Sequence, residues 1–210
     1  MAKEINTIGV LTSGGDAPGM NEAIRAVVRK ALANGVKVKG IKKGYRGLLN
    51  EEIIDLERWS VSDTIQKGGT ILGTARCSEF RTEEGQLKGV NICHKHGIDG
   101  LIVIGGDGTL TSGRDFSRKG VKVIGVPKTI DNDLASTDTT FGFDTAVSVA
   151  TDAIDRLRTT AESHSRIIVV EAMGRYAGWI ALGAGIAGGC DAILIPEIPY
   201  DINKVAETIK

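Results

Sequence analysis

Apolar residues along this chain keep two rhythms that take turns. Short, nearly unbroken runs at 5–11, 36–41, 100–104, 121–126, 166–171 and 192–195 are rich in Val, Ile and Leu and predict strands. Several are continuous (LIVI at 101–104, IIVV at 167–170, AILI at 192–195), the pattern of parallel strands covered on both faces. Between the runs, apolar positions recur at helical spacing. Met20, Ala23, Ile24, Val27, Val28 and Ala31 form one stripe, and Ala146, Val149, Ala150, Ala153, Ile154 and Leu157 form another, each the mark of an amphipathic helix. Gly35, Gly97 and Gly120 stand where a helix must stop before the next strand. Strand alternating with helix implies an α/β fold, a doubly wound, Rossmann-like parallel sheet with right-handed crossovers.

No internal repeat or low-complexity linker interrupts this order. The polar, glycine-containing stretch 136–143 precedes the long second stripe and reads as a hinge, giving domains at 1–142 and 143–210. The second domain starts a similar α/β pattern. Its closing DINKVAETIK reads as the opening of a helix capped by Asp201, so the expectation is an unfinished domain and a chain that is part of a longer one.

Composition narrows the function classes. Basic and acidic residues balance at 26 each, with 41% hydrophobic residues. This excludes the basic excess of a nucleic-acid binder and the polar bias of disorder. Glycine, at 28 of 210 residues, suits a backbone that comes close to a ligand. Cys77, Cys93 and Cys190 are odd in number and lack C-x-x-C pairing, which argues against a disulfide framework or zinc site and for a reducing compartment. The first residues contain no signal-peptide core, and no apolar stretch approaches bilayer length. A cytoplasmic protein with no membrane partner is expected.

Three segments carry candidate chemistry. The first predicted strand runs into Thr12-Ser13-Gly14-Gly15-Asp16 and then a helix. Such a turn is either a phosphate cradle, built from backbone N–H groups and a helix N-terminus, or a plain tight turn. A second turn, Gly105-Gly106-Asp107-Gly108-Thr109, follows LIVI and opens another helix. An acidic residue among phosphate-facing glycines makes sense as a Mg²⁺ ligand. The third segment is Pro127-Lys128-Thr129-Ile130-Asp131-Asn132-Asp133. Two carboxylates beside a lysine and a threonine fit a phosphoryl-transfer centre, one carboxylate taking a hydroxyl proton while the lysine and metal offset charge; DND equally makes an Asx-rich turn.

Together, TSGGDAPGMN, GGT-ILGTAR, GGDGT, PKTIDND, SHSRI and EAMGRYAGWIA occur in the order and spacing of the phosphofructokinases. Over essentially its whole length the chain resembles the N-terminal two-thirds of a 6-phosphofructokinase. The resemblance implies phosphoryl transfer from MgATP to the 1-hydroxyl of fructose 6-phosphate. It puts Gly15, Tyr45, Arg76, Gly106, Asp107, Gly108 and Thr109 at the nucleotide, with Asp107 as the magnesium ligand. Arg76 would stabilise charge between donor and acceptor. Asp131 would be the general base, with Thr129, Lys128 and Asp133 completing the centre. Met173, Gly174 and Arg175 would line the sugar-phosphate side, and Arg166 would reach the sugar phosphate of a neighbouring subunit in a homotetramer. Arg25, Arg29, Arg58, Arg158 and Asp191 match a site for an ADP or phosphoenolpyruvate effector.

Departures from the family pattern are informative. Lys128 stands where bacterial ATP enzymes carry glycine, and lysine there is typical of pyrophosphate-dependent relatives. Those relatives usually carry an aspartate at the position of Gly108, in the space of the nucleotide's α-phosphate. Steric exclusion is the harder constraint, which favours ATP. Cys77 replaces an aromatic beside Arg76, and Trp59 a tyrosine near the effector arginines. Family members also continue past residue 210, placing further sugar-phosphate groups there. A pyrophosphate-dependent phosphofructokinase and a non-catalytic nucleotide-binding fragment remain the alternatives.

Two motifs read as decoys. Gly183, Gly185 and Gly188 spell GxGxxG, but a helical pattern precedes them and a strand pattern follows. The dinucleotide fingerprint needs the reverse, so close helix packing is the better reading. Cys93, His94 and His96 resemble a metal cluster, yet they sit just ahead of Gly97, where histidines complement a helix C-terminus.

Overall fold

A computed structural model describes residues 5–209 and divides the chain into two compact units, one running to Lys128 and the other starting at Thr129. The boundary falls ahead of the polar stretch 136–143 singled out from sequence.

The first unit contains, in order, β1 (Thr7–Thr12), α1 (Met20–Ala33), β2 (Lys37–Ile41), α2 (Gly44–Leu49), β3 (Ile53–Leu56), α3 (Glu83–Lys95), β4 (Gly100–Gly105), α4 (Asp107–Ser117) and β5 (Lys122–Thr129), whose last residue opens the second unit. The first four predicted strands are β1, β2, β4 and β5, shifted by a residue or a few at their ends. Strand β3 was not predicted; IIDL is too short and mixed to announce itself.

The sheet order is β3-β2-β1-β4-β5. Strand β1 runs parallel to both its neighbours, with Ile8 opposite Val38 on β2 and Gly100 on β4. β4 pairs in parallel with β5, and β3 lies antiparallel against β2 at the edge. From β1 the chain winds one way to β2 and then returns to the other side at β4. The order therefore reverses between β1 and β4, where doubly wound sheets leave a crevice at their C-terminal ends.

The core explains why these segments adopt these forms. Met20, Ile24 and Val28, spaced four apart on α1, are fully buried, as the stripe predicts. Leu101, Val103 and Ile104 on β4 are buried too, matching a strand covered on both faces. Tyr45 stacks on Phe80 at a centroid distance of 4.0 Å, and Phe80 meets Phe116 edge-on at 5.1 Å. These are the offset and T-shaped geometries that ring quadrupoles favour. The column ties α2 and α4 to the short 3₁₀ turn Glu79–Arg81. Gly35, Gly97 and Gly120 all take left-handed φ (74°, 65° and 94°), ending helices where expected.

The second unit contains β6 (Phe141–Gly142), α5 (Phe143–His164), α6 (Trp179–Ala187) and α7 (Ile202–Ile209). Asp201 caps α7 as expected, its Oδ1 accepting the Asn203 amide at 2.9 Å. Two expectations are corrected here. The runs 166–171 and 192–195 are not strands, and Val169 is 89% exposed. A strand exists only through a ladder partner, and among the described residues neither run has one. The α5 stripe likewise includes exposed Val149 and Leu157, and no α5 residue is buried. What covers part of α5 is α6, whose glycines allow the approach: a side chain at Gly188 would sit 2.6 Å from Ile154 Cγ2. The GxGxxG sequence is therefore a packing surface. No helix among the described residues is long and apolar enough to cross a membrane.

Candidate functional site

The two glycine turns lie side by side at the sheet's reversal point. Residues 13–15 leave β1, and 105–109 leave its parallel neighbour β4. Register fixes their proximity: Thr12 pairs with Ile104, and the Ser13 amide donates to the Ile104 carbonyl at 3.0 Å. Gly105 must be glycine, because a side chain there would sit 2.6 Å from Thr109 Cβ and 2.7 Å from the Ser13 carbonyl oxygen. Gly14 adopts φ 86°, and a Cβ there would lie 3.6 Å from Thr109 Oγ1. The cradle is thus two glycine turns touching across buried Thr109.

Asp107 opens α4 with its side chain exposed, and Gly106 caps the helix. An exposed carboxylate beside glycine turns suits a hard cation that takes its other oxygens from phosphate and water. Gly108 is exposed as well, and a Cβ there would have ordinary room, its one neighbour within 4 Å being Arg81 Nη2 at 3.6 Å. Arg81 was missed from sequence. It follows the Phe80 that anchors its turn, and only the fold reveals that this places a guanidinium beside the second glycine turn.

Tyr45 is 3% exposed and donates its hydroxyl to the Thr109 carbonyl at 2.9 Å. It therefore supports the second turn from beneath. Burial pushes its phenol well above the usual tyrosine range, so the hydroxyl stays a donor. Arg76 is exposed and Cys77 is partly buried against the hydrophobic core. Lys128 is 4% exposed at the end of β5, and its Nζ donates to the Gly15 carbonyl of the first turn. The structure accordingly brings Gly15, Tyr45, Gly106, Asp107, Gly108, Thr109 and Lys128 to one end of one sheet.

In the second unit, the acidic segment is a cross-braced turn. Asn132 takes left-handed φ (50°), and its Oδ1 accepts from the Thr140 amide at 2.9 Å. Fully buried Thr140 donates its hydroxyl to the Thr129 carbonyl at 2.8 Å, while Thr129 Oγ1 accepts the Asp131 amide at 3.1 Å. The Asx-turn reading of DND is seen here: Asn132 is the brace, with Asp131 half-buried and Asp133 exposed on either side. Thr140 went unnoticed in the sequence, being one threonine in a polar stretch.

Met173 and Arg175 are exposed, and Gly174 turns between them with φ 127°. The Arg175 guanidinium lies 5.8 Å from the Tyr176 ring centroid. Arg166 is exposed directly after the left-handed Ser165 that ends α5. Of the effector candidates, Arg25, Arg29 and Arg58 converge in the first unit. Arg58 first, then burial, then Arg25 hold the Arg29 guanidinium below its ordinary pKa. Arg158 is otherwise engaged, donating to the Gly188 carbonyl at 3.2 Å and pairing with Glu162 at 3.6 Å. Asp191 is exposed. Near the second decoy, burial pushes the Cys93 thiol up to about 12, and His96 Nε2 lies 2.7 Å from Glu51 Oε2.

Comparison with known proteins agrees with this geometry. Residues 7–210 match the family described as phosphofructokinase. The chain is 57% identical over 205 residues to an ATP-dependent 6-phosphofructokinase of Clostridium novyi, covering 98% of this chain and 64% of that protein. The chain thus spans less than two thirds of such relatives. Among solved structures, it superposes on a Pichia pastoris phosphofructokinase in the T-state with a TM-score of 0.91 at 38% identity, covering 99% of this chain and 24% of the other. It also superposes on a pyrophosphate-dependent phosphofructokinase from Marinobacter aquaeolei with a TM-score of 0.82 at 28% identity, covering 97% and 56%. With paired glycine turns at the sheet's reversal point and a family match along nearly its whole length, this chain belongs to the phosphofructokinase family.

Proposed function

We propose that the protein transfers a phosphoryl group from MgATP to the 1-hydroxyl of fructose 6-phosphate, giving fructose 1,6-bisphosphate, as a cytoplasmic step of glycolysis. The observation that carries this reading is the pair of touching glycine turns with Asp107 at the start of α4. Backbone amides and a helix N-terminus suit the donor's phosphates. Mg²⁺ held by Asp107 would screen charge between those phosphates. Arg76, whose planar fork matches phosphate oxygens, stabilises charge on the group in transit. Asp131 takes the proton of the attacking hydroxyl, its backbone held by Thr129. Asp133, Arg166, Met173, Gly174 and Arg175 serve the sugar phosphate, within a tetramer that shares its sites.

Donor choice rests on Gly108. The position is open: among the described residues a Cβ there would meet only Arg81 Nη2, at 3.6 Å, which supports room for an α-phosphate. The rival lysine signal has a second reading, because one donor of the Lys128 ammonium goes to the Gly15 carbonyl. For regulation, three guanidiniums held close enough to depress Arg29 favour binding an anion such as ADP or phosphoenolpyruvate. Arg25, Arg29 and Arg58 carry that role; Arg158, bonded to Gly188 and Glu162, and Asp191 are the weaker members.

The test is phosphorylation of fructose 6-phosphate by the intact protein with Mg²⁺ and either ATP or pyrophosphate. Turnover with ATP is expected. Turnover with pyrophosphate alone would transfer the donor decision from Gly108 to Lys128, and turnover with neither would leave a nucleotide-binding role.

A further inference from the structure

Both carbonyls of the first glycine turn are taken, and by side chains from different parts of the sheet's end. The Gly14 carbonyl accepts from Thr74 Oγ1 at 2.5 Å, and the Gly15 carbonyl accepts from Lys128 Nζ. Peptide units are planar, and the described chain has no cis bonds, so each carbonyl points opposite to the N–H across the same plane. Fixing the Gly14 and Gly15 carbonyls therefore fixes the directions of the Gly15 and Asp16 N–H groups. Those are the amides with which a strand–glycine–helix turn meets an anion.

From this we propose that Lys128 is a positioning residue, which together with Thr74 clamps the first glycine turn by its carbonyls so that its amides face the donor phosphate. The anchors are firm. Lys128 is almost wholly buried on β5, whose register against β4 pairs Pro127 with Gly105. Strand β4 lies between β5 and β1; it ends in Gly105 and is followed by Gly106, and neither puts a side chain in the lysine's way. Thr74 follows Gly73, whose carbonyl is held by Thr12 Oγ1 at 3.0 Å. The turn itself needs such holding: Gly14 and Gly15 are exposed, and glycine gives the backbone the widest freedom. The proposal rests on the donor-phosphate reading of the turn, and it changes what the lysine means. A lysine in this segment acts on the loop's geometry, which serves ATP as readily as pyrophosphate.

The experiment compares Lys128→Met and Thr74→Val in the intact protein by hydrogen–deuterium exchange of the 13–16 segment and by steady-state kinetics with MgATP. Each variant is expected to speed exchange in that segment by about tenfold, the population change that one hydrogen bond to a charged or hydroxyl donor carries. Exchange of β4 should stay unchanged. Each variant should also raise the MgATP KM while kcat moves far less. Unchanged exchange at 13–16 in Lys128→Met overturns the clamp. So does a large loss of kcat at constant KM, or a Lys128→Met defect that Thr74→Val does not share, since either makes the ammonium a direct charge on the reaction. The exchange readout stands apart from turnover: a wild-type protein that phosphorylates nothing would count against the function while leaving the clamp to be judged on its amides.

Discussion

The two units hold their candidate residues in different ways. In the first, the glycine turns are backbone, and the backbone is fixed by strand register, by buried Thr109 and by the Tyr45–Phe80–Phe116 column beneath. In the second, Asp131 sits on a turn braced locally by Asn132 and Thr140, and the apolar runs that follow lie open to solvent. A site that depends on backbone direction needs a sheet under it. A single carboxylate can be set by one well-braced turn.

The largest expected effect is at the carboxylate proposed as the general base. Asp131→Asn should lower kcat of the intact enzyme by about 10²–10⁴, the usual worth of a general base, with fructose 6-phosphate KM little changed. A variant that keeps near-normal kcat removes Asp131 from that role. Next comes the packing contrast. Phe80 is fully buried between two rings, so Phe80→Ala should cost about 3–5 kcal/mol in urea unfolding. Val169→Ala in the exposed run should stay within about 0.5 kcal/mol. Equal losses would mean that the run at 166–171 is packed in solution.

This contrast also explains what the sequence could reveal. The Met20, Ile24 and Val28 stripe, the LIVI run and the helix-stopping glycines all depend on near neighbours in the chain, and the structure matches each. The run IIVV reads like LIVI letter for letter in kind. LIVI has β1 and β5 on either side, whereas among the described residues IIVV has no ladder. Apolar pattern records a segment's preference for burial, and partners elsewhere in the chain decide whether a strand forms. At the candidate site, GGDGT and PKTIDND stood out because their residues are contiguous in the chain. Arg81, Thr74 and Thr140 were not, because each joins its partners only through tertiary contact. Lys128 was legible as a charge but not as a clamp, since nothing in sequence places Gly15 within its reach.

A third prediction separates steric from structural effects at the donor. Gly108→Asp meets open space and the Arg81 guanidinium, so the variant should fold as the parent does. Its kcat/KM with ATP should fall by at least about 10²-fold, the scale of a like-charge clash against a bound phosphate. Survival of ATP turnover would remove the main support for the ATP assignment, and loss of folding would contradict the room seen at this position.

The smallest predicted effect asks whether Tyr45 acts on the ligand or on the loop. Tyr45→Phe keeps the ring, so the stack on Phe80 survives and only the 2.9 Å bond to the Thr109 carbonyl is lost. That carbonyl lies in the first turn of α4 and would be left with one fewer donor in a buried setting. One neutral hydrogen bond is worth about 0.5–1.5 kcal/mol, which for a chain of this length shifts Tm by roughly 2–4 °C per kcal/mol. Because burial keeps the phenol protonated through the working pH range, the wild-type bond persists across that range and the stability difference should be flat with pH. A loop role predicts this loss together with a modest rise in the MgATP KM. If nucleotide affinity drops while Tm holds, the hydroxyl serves the nucleotide directly, and the support of the second glycine turn must come from Gly105 and Thr109 alone.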